Sequence, residues 1–356
     1  MDHETIHEVD DRNDLHEETG VRVFLYEHVT GGGLMGQPLP ASLAREGDMM
    51  LRAALDDLTE LPGMEAVVSR DPRLPFPSGV AAVLEPAPGE SPGCLYRRGL
   101  ALADLAWIIA PETGGVLEAL AREALEQGKG LFGCAPQAVR VAASKHATAR
   151  VLARAGLPVV PTFTPGEPLP ALPGPWVVKP DDGAGCEGAR RVPDVEAARA
   201  ALLEAGMGWV VQPWIQGEPA SLCLLVDPPG SVRLLSCNRQ HIAVRGEALA
   251  LTGLTVGAWA DTDGRLAALA RAVVAAIPGL AGFVGIDYVH TSTGPVVLEV
   301  NPRLTTSYCG LRSVLGMNPL TLALGLLPPG EGSGGGRHRP IMGKAPVRVS
   351  LEPVDA

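Results

Sequence analysis

Basic residues are in short supply in this chain. Lys and Arg number 29 against 40 Asp and Glu, a formal net charge of -11, so the surface cannot easily gather the positive field that a phosphate backbone or an anionic bilayer requires. Nucleic acid and membrane are therefore not expected as partners. The six cysteines, at positions 94, 134, 186, 223, 237 and 309, include no C-x-x-C pair, which argues against a zinc site or a disulfide framework and for free thiols in a reducing cytoplasm. Apolar runs of membrane-spanning length are missing too: LALADLAWIIA is broken by charge and too short. The start is polar rather than basic-then-apolar, so no secretory signal is expected. There is no P-loop Lys-Ser/Thr and no discernible nucleophilic triad.

A chain of 356 residues is long for one compact domain, and two or three lobes are expected. Residues 1–19 carry eight acids, three His and a single Arg, which predicts a disordered acidic lead. From 20 to 130, short apolar strands (21–26, 66–68, 105–110) alternate with helical patterns (43–61, 116–127), the signature of a parallel α/β lobe. Gly31, Gly32 and Gly33 follow the first strand without G-x-G-x-x-G spacing. They make either a loop that admits a substrate to backbone amides or a plain strand-to-helix connection.

The most informative stretch is 283–303, FVGIDYVHTSTGPVVLEVNPR. It reads as two strands around a Thr-Ser-Thr-Gly turn, with Asp287, Glu299 and Asn301 inside otherwise apolar segments. A carboxylate in such a strand is costly to bury without a cation or a donor. In a tight hairpin Asp287 and Glu299 converge, and Glu299 and Asn301, two apart, share a face. Two carboxylates and an amide oxygen form an oxygen-only set suited to Mg²⁺ or Mn²⁺. Arg303 follows, able to pair a phosphate oxygen. Taken singly, each of these residues also fits a polar strand end facing solvent.

Two lysines precede this hairpin. Ser144 is placed to cap a helix through KHATARVLARAG, which puts Lys145 in the first turn, where the helix dipole disfavours a cation. Lys179 ends the strand WVVKP at the mouth of GAGCEG, with Gly183, Gly185 and Gly188. That loop matches the dinucleotide spacing, but Pro193 precludes a directly following helix and no acid lies at the ribose offset. A strand–loop–strand flap over phosphates is the better expectation. Next, WVVQPWIQGEP reads as strand, break and new strand, and CNRQHIAVRG presents Asn238, Arg239 and Gln240, either as a solvated strand edge or facing a transferring phosphate. Beyond Arg303, the hydroxyls of 305–307 either cap a helix or hold a substrate carboxylate. A Gly-rich linker and a short strand-like end close the chain.

In combination these motifs resemble the ATP-grasp carboxylate–amine ligases. The resemblance covers about residues 20–325, through Lys145 with GLPVVP, Lys179 with its glycine loop, the break at 212–215, then D-Y-V…V-L-E-V-N-P-R. It implies an ATP-grasp fold, α/β and α+β, with an N-terminal Rossmann-like pre-ATP-grasp lobe. The implied lobes are 20–130, a small ATP-grasp lobe at 131–206 and a large lobe at 207–328, with 329–356 as linker and tail. It further implies that Lys145 and Lys179 reach the phosphates of ATP, that Gln212, Pro213, Trp214 and Ile215 read the adenine edge, that Glu218 meets the ribose, and that Asp287, Glu299 and Asn301 hold Mg²⁺. Arg303 and Arg239 then face the transferring phosphate. Within that family, FLYEHVTGGG, WIIAPE, NRQHI and NPRLTTSYCGL look most like the tyramine–L-glutamate ligases of methanofuran biosynthesis. That implies small-molecule substrates, the γ-carboxylate of glutamate and the amine of tyramine; the Ala/Gly/Pro/Arg-rich composition adds tyrosine as an alternative amine, and a homodimer is left open. The rival expectations are a ligase for another amine, a nicotinamide oxidoreductase using GAGCEG, and a non-catalytic ATP-binding regulator.

Overall fold

The computed structural model describes residues 20–228, 230–323 and 345–352. The expected acidic lead and the Gly-rich run of the linker lie outside the described residues.

The first sheet is built from β1 (Val21–Glu27), β2 (Met64–Ser69), β3 (Ala82–Leu84), β4 (Leu105–Ile109) and β5 (Gly130–Leu131), all parallel in the order β3-β2-β1-β4-β5. Both faces of β1 are buried because alternate side chains feed separate cores. Val23 and Leu25 pack with Leu51, Leu55 and Leu58 of α1 (Ala41–Thr59). Phe24 and Tyr26 pack on the other face with Tyr96 and Leu100 of α2 (Pro92–Ala101) and Leu117 of α3 (Val116–Glu126). Helix α2 sits so close that a Cβ on its Gly99 would lie 2.1 Å from the Phe24 ring. Strand order reverses between β1 and β4, which opens a crevice at their carboxyl ends.

Two helices, α4 (Pro136–Ala143) and α5 (Lys145–Arg154), lead into the second sheet. A small lobe holds β6 (Trp176–Pro180), β7 (Arg190–Val192), α6 (Val195–Ala205) and β8 (Trp209–Pro213), around a core of Trp176, Val178, Leu202 and Val211. Since β8 pairs antiparallel with β6, the small-lobe strands run past residue 206. Then come β9 (Glu218–Asp227), β10 (Ser231–Arg245), β11 (Ala248–Trp259), α7 (Arg265–Ala276), β12 (Gly282–Thr291), β13 (Gly294–Asn301), α8 (Tyr308–Leu315), α9 (Pro319–Ala323) and β14 (Val347–Ser350). The strands join in the order β13-β12-β9-β10-β11-β7-β6-β8, with β14 on β11. Among the described residues a single register pair, Ala248 with Arg190, carries β11 onto β7, so the two halves of this sheet meet at a narrow seam.

Three local details depart from what short-range pattern suggests. GLPVVP is not a strand of its own: Val159 makes an isolated parallel bridge to Val297, because Pro158 and Pro161 lack the N–H groups that would extend the ladder. Strand β10 runs on to Arg245 rather than stopping at Cys237, pairing with β11, whose Gly253 and Gly257 hide its alternation in the sequence. The hydroxyls after Arg303 do not cap α8. Thr305 bonds Ser307 at 2.9 Å and Thr306 donates to Glu46. Among the described residues no helix is long and apolar enough to cross a membrane.

Candidate active site

Strands β12 and β13 place Asp287 and Glu299 as direct register partners, with Gly285 opposite Asn301 two positions on. Ile286 and Tyr288, on either side of Asp287, are fully buried in the core, so strand alternation turns Asp287 to the opposite face, into a cleft of ≈ 1040 Å³ counted to its open mouth. Burial first, and the facing Glu299 second, push the Asp287 carboxyl up to about 7, with the amides of Gln240 and Asn301 partly offsetting this. Burial would raise Glu299 as well, but Lys145 and Lys179 hold it below its ordinary value.

Both lysines converge on the same oxygen. Lys145 Nζ lies 3.4 Å and Lys179 Nζ 3.8 Å from Glu299 Oε2. Lys145 starts α5, with Ser144 Oγ capping the Ala147 N–H at 3.0 Å, and its ammonium also donates to the carbonyls of Gly183 (2.5 Å) and Asp181 (3.3 Å). Those acceptors explain a cation in a first turn, where the dipole alone opposes it. Lys179 ends β6, and burial lowers its pKa despite Glu299.

The glycine loop joins β6 to β7 antiparallel, Trp176 opposite Val192. It is therefore a hairpin flap, not the strand-to-helix turn a dinucleotide fold needs. Gly183 and Gly185 line the cleft and Gly188 does not: a Cβ there would press on Pro180 and Trp209. Cys186, which the sequence reading passed over, also lines the cleft, at a left-handed φ of 66°. Gln212, Pro213, Trp214 and Ile215 form another wall. The Gln212 amide is committed to Thr162 Oγ1 at 2.8 Å, which leaves backbone groups of this segment to meet a ligand. Val177, Ile242, Leu251 and Val289 supply apolar surface.

Glu218 and Arg239 stand outside this cleft. They pair with each other, 42% and 49% exposed, and the guanidinium lies 5.8 Å from the Trp259 ring. Their neighbours Pro219 and Gln240 line the cleft instead, because successive strand residues point to opposite faces. The ribose and phosphate roles expected for Glu218 and Arg239 are thus not supported by position. Asn238 is a fully buried structural bridge, bonding Ser221 and the Gly257 N–H.

Arg303 lies near enough to Asp287 for their charges to interact, but it lines a neighbouring pocket with Trp107, Phe283 and Leu304 rather than the cleft, and it is not free. Its Nε and Nη2 make a fork to Glu112 at 3.0 and 3.2 Å, with Glu112 buried and Arg303 partly so. Burial disfavours the guanidinium charge, yet Glu112, Glu46 and Asp287 more than restore it. Glu112 closes the WIIAPE segment just past β4, but nothing in that local sequence points to Arg303 as its partner.

Among the described residues no cluster of three His, Cys, Asp or Glu side chains is arranged to hold a metal. The set here is two facing carboxylates with the Asn301 amide beside Asp287. Such an all-oxygen set fits Mg²⁺ or Mn²⁺, and the repulsion between the carboxylates is what a divalent cation would relieve.

Comparison with known proteins agrees with this geometry. Residues 142–307 match the model for an ATP-grasp domain and residues 64–139 that for a pre ATP-grasp 3 domain, together well over half of the chain. The chain belongs to the ATP-grasp superfamily. Among ATP-grasp structures, one from Archaeoglobus fulgidus superposes with a TM-score of 0.67 at 24% identity, covering 86% of this chain and 88% of that one. An L-amino acid ligase from Bacillus licheniformis gives 0.59 at 18% identity, covering 86% and 73%. A tyramine–L-glutamate ligase from Methanocaldococcus jannaschii is 28% identical over 210 residues, 59% of this chain and 59% of its own. A phosphoribosylamine–glycine ligase from Caulobacter vibrioides is 29% identical over 234 residues, 58% of this chain and 54% of its own. The match thus spans less than two thirds of these curated relatives.

Proposed function

We propose that this ATP-grasp protein is a cytoplasmic, ATP-dependent carboxylate–amine ligase that forms ADP and phosphate. The observation that carries the reading is the meeting, in one cleft, of two facing carboxylates with two lysines within 3.8 Å of Glu299. Phosphoryl transfer needs charge neutralisation and positioning more than covalent groups. Lys145 and Lys179 meet the phosphates at the mouth of the glycine loop, the 212–215 segment and apolar walls take the base, and Arg303 faces the transferring group. Asp287, Glu299 and Asn301 would hold Mg²⁺, which when bound supplies charge stabilisation to the phosphates. A carboxylate oxygen attacks the γ-phosphorus and ADP leaves. The amine nitrogen then attacks the acyl carbon, phosphate leaves, and the nitrogen gives up a proton.

The names of the Methanocaldococcus relatives favour glutamate and tyramine as the pair joined; the γ-carboxylate as the acid, tyrosine as an alternative amine and methanofuran-type cofactor synthesis are our extension of that reading. The test is incubation with ATP, Mg²⁺, glutamate and an amine panel including both, following nucleotide and amide mass together. ADP with a glutamyl amide is expected. AMP would overturn the mechanism, and ADP with an amide of another acid or amine would overturn only the substrate assignment. ATP binding with no turnover for any pair would point to a regulator.

A further inference from the structure

The β4–α3 loop is short, and both of its ends are tied to the ATP site from outside. Glu112 forks onto Arg303, across 191 positions of sequence. One residue on, Thr113 Oγ1 donates to the Asp182 carbonyl at 3.0 Å, and the Gly114 N–H donates to the Asp182 carboxylate at 2.9 Å. Asp182 is in turn the root of the glycine loop. Its neighbour Asp181 accepts from Ser144 Oγ (2.6 Å) and the His146 N–H (2.8 Å), and its carbonyl accepts from the Lys145 N–H (3.1 Å).

The loop closes on itself in a tight turn. Thr113–Gly115 is a single tight turn, Gly114 and Gly115 take φ of 64° and 72°, and the Gly115 N–H closes on the Glu112 carbonyl at 3.0 Å. Left-handed backbone at consecutive positions is a conformation only glycine holds without strain. Among the described residues the small-lobe strands pair directly with the large-lobe sheet at the one β7–β11 register pair, and residues 159–163 bridge Val297 of β13 to Val211 of β8; neither link reaches the glycine loop's root at Asp182, which the β4–α3 loop ties to the large-lobe arginine.

We propose that residues 112–114 form a positioning strut, in which Glu112 sets the Arg303 guanidinium relative to the glycine loop and the two lysines. The strut acts through Arg303 and Asp182 and touches no reacting atom. It rests on the reading of the cleft as the site of phosphoryl transfer. A carboxylate held by both guanidinium edges fixes the arginine plane as well as its charge, and misplacing a catalytic group by about 1 Å costs about 100-fold in rate.

The experiment is a double-mutant cycle in the full chain with Glu112→Gln, Asp182→Ala and the pair. Each single variant should lower kcat about 10- to 100-fold with KM for ATP changed less than about threefold. The double variant should be no slower than the slower single one, since cutting one end already frees the strut. Additive losses, an unchanged kcat, or a raised KM at unchanged kcat would each overturn the strut. A second measurement does not need turnover: limited trypsin cleavage at Arg190 and Arg191, just beyond the glycine loop, should quicken several-fold in Glu112→Gln. An unchanged cleavage rate overturns the proposal. Should Glu112→Gln not fold, Thr113→Val carries the same two measurements. Wild-type protein that makes no ADP sinks the ligase reading, while the cleavage rates still judge the strut.

Discussion

Asp287 and Glu299 stand directly opposite one another in the β12–β13 hairpin, and the ladder shifts register immediately after Asp287. The two carboxylates are shifted in opposite directions for a physical reason. Burial and its neighbour drive Asp287 toward neutrality, whereas Lys145 and Lys179 hold Glu299 ionised. Without a divalent cation, the lysines serve as its counter-charge.

Glu299→Gln should therefore leave the fold intact. It removes the anion facing two part-buried lysines, which is destabilising, but it also removes the repulsion with Asp287, which is stabilising. Melting temperature should move by only a few degrees, while turnover at limiting Mg²⁺ falls about 100-fold or more. Near-normal turnover under that condition would show that Glu299 holds no metal.

Lys179→Met keeps the buried stem and removes the charge. Because the ammonium would meet the phosphates both before and during transfer, KM for ATP should rise and kcat fall, each about 10-fold. Steady-state kinetics varying ATP decide it, and unchanged constants would place Lys179 outside the nucleotide contacts.

Arg239→Ala should do little. Its partner Glu218 is exposed and the pair lies outside the cleft, and such surface pairs contribute roughly 0–1 kcal/mol. A kcat within about threefold of wild type is expected, and a 100-fold loss would return Arg239 to the reaction.

Asp57 carries a pH dependence. Burial raises its carboxyl from 3.8 to about 6, opposed by Tyr308 and Arg312, which bond it at 2.7 and 3.0 Å. The folded state then holds the proton more tightly than the unfolded one, so this contribution is full below the unfolded value and is lost as pH rises through 6. Relative to Asp57→Asn, wild type should lose up to about 3 kcal/mol between pH 3.5 and 7.5. Denaturant unfolding of both proteins across that range checks it, and a constant difference would refute it.

Which residues could be read from sequence follows from how near their partners lie. Asp287 and Glu299 belong to one tight hairpin, so turn and alternation bring them together with no knowledge of the rest of the fold. Lys145 and Lys179 are marked by a cap and a strand end, both local signals. The choice between Arg239 and Gln240 was not local. Irregularities in β10 between Cys237 and Arg239, and again between His241 and Ile242, reset which side faces the cleft, and a period of two gives no phase.

The parallel lobe, the carboxylate hairpin and the glycine loop are legible in the sequence alone, because each arises from short-range periodicity, turn chemistry and the cost of burying a carboxylate in a strand. That Glu112 holds Arg303, that Glu46 takes Thr306, and that Asp182 anchors the loop after β4 emerges only once the chain is folded. These contacts join residues some 70 to 260 positions apart. They exist because the crevice where the strand order of the first sheet reverses closes against the end of β13, and no periodicity along the chain encodes that meeting.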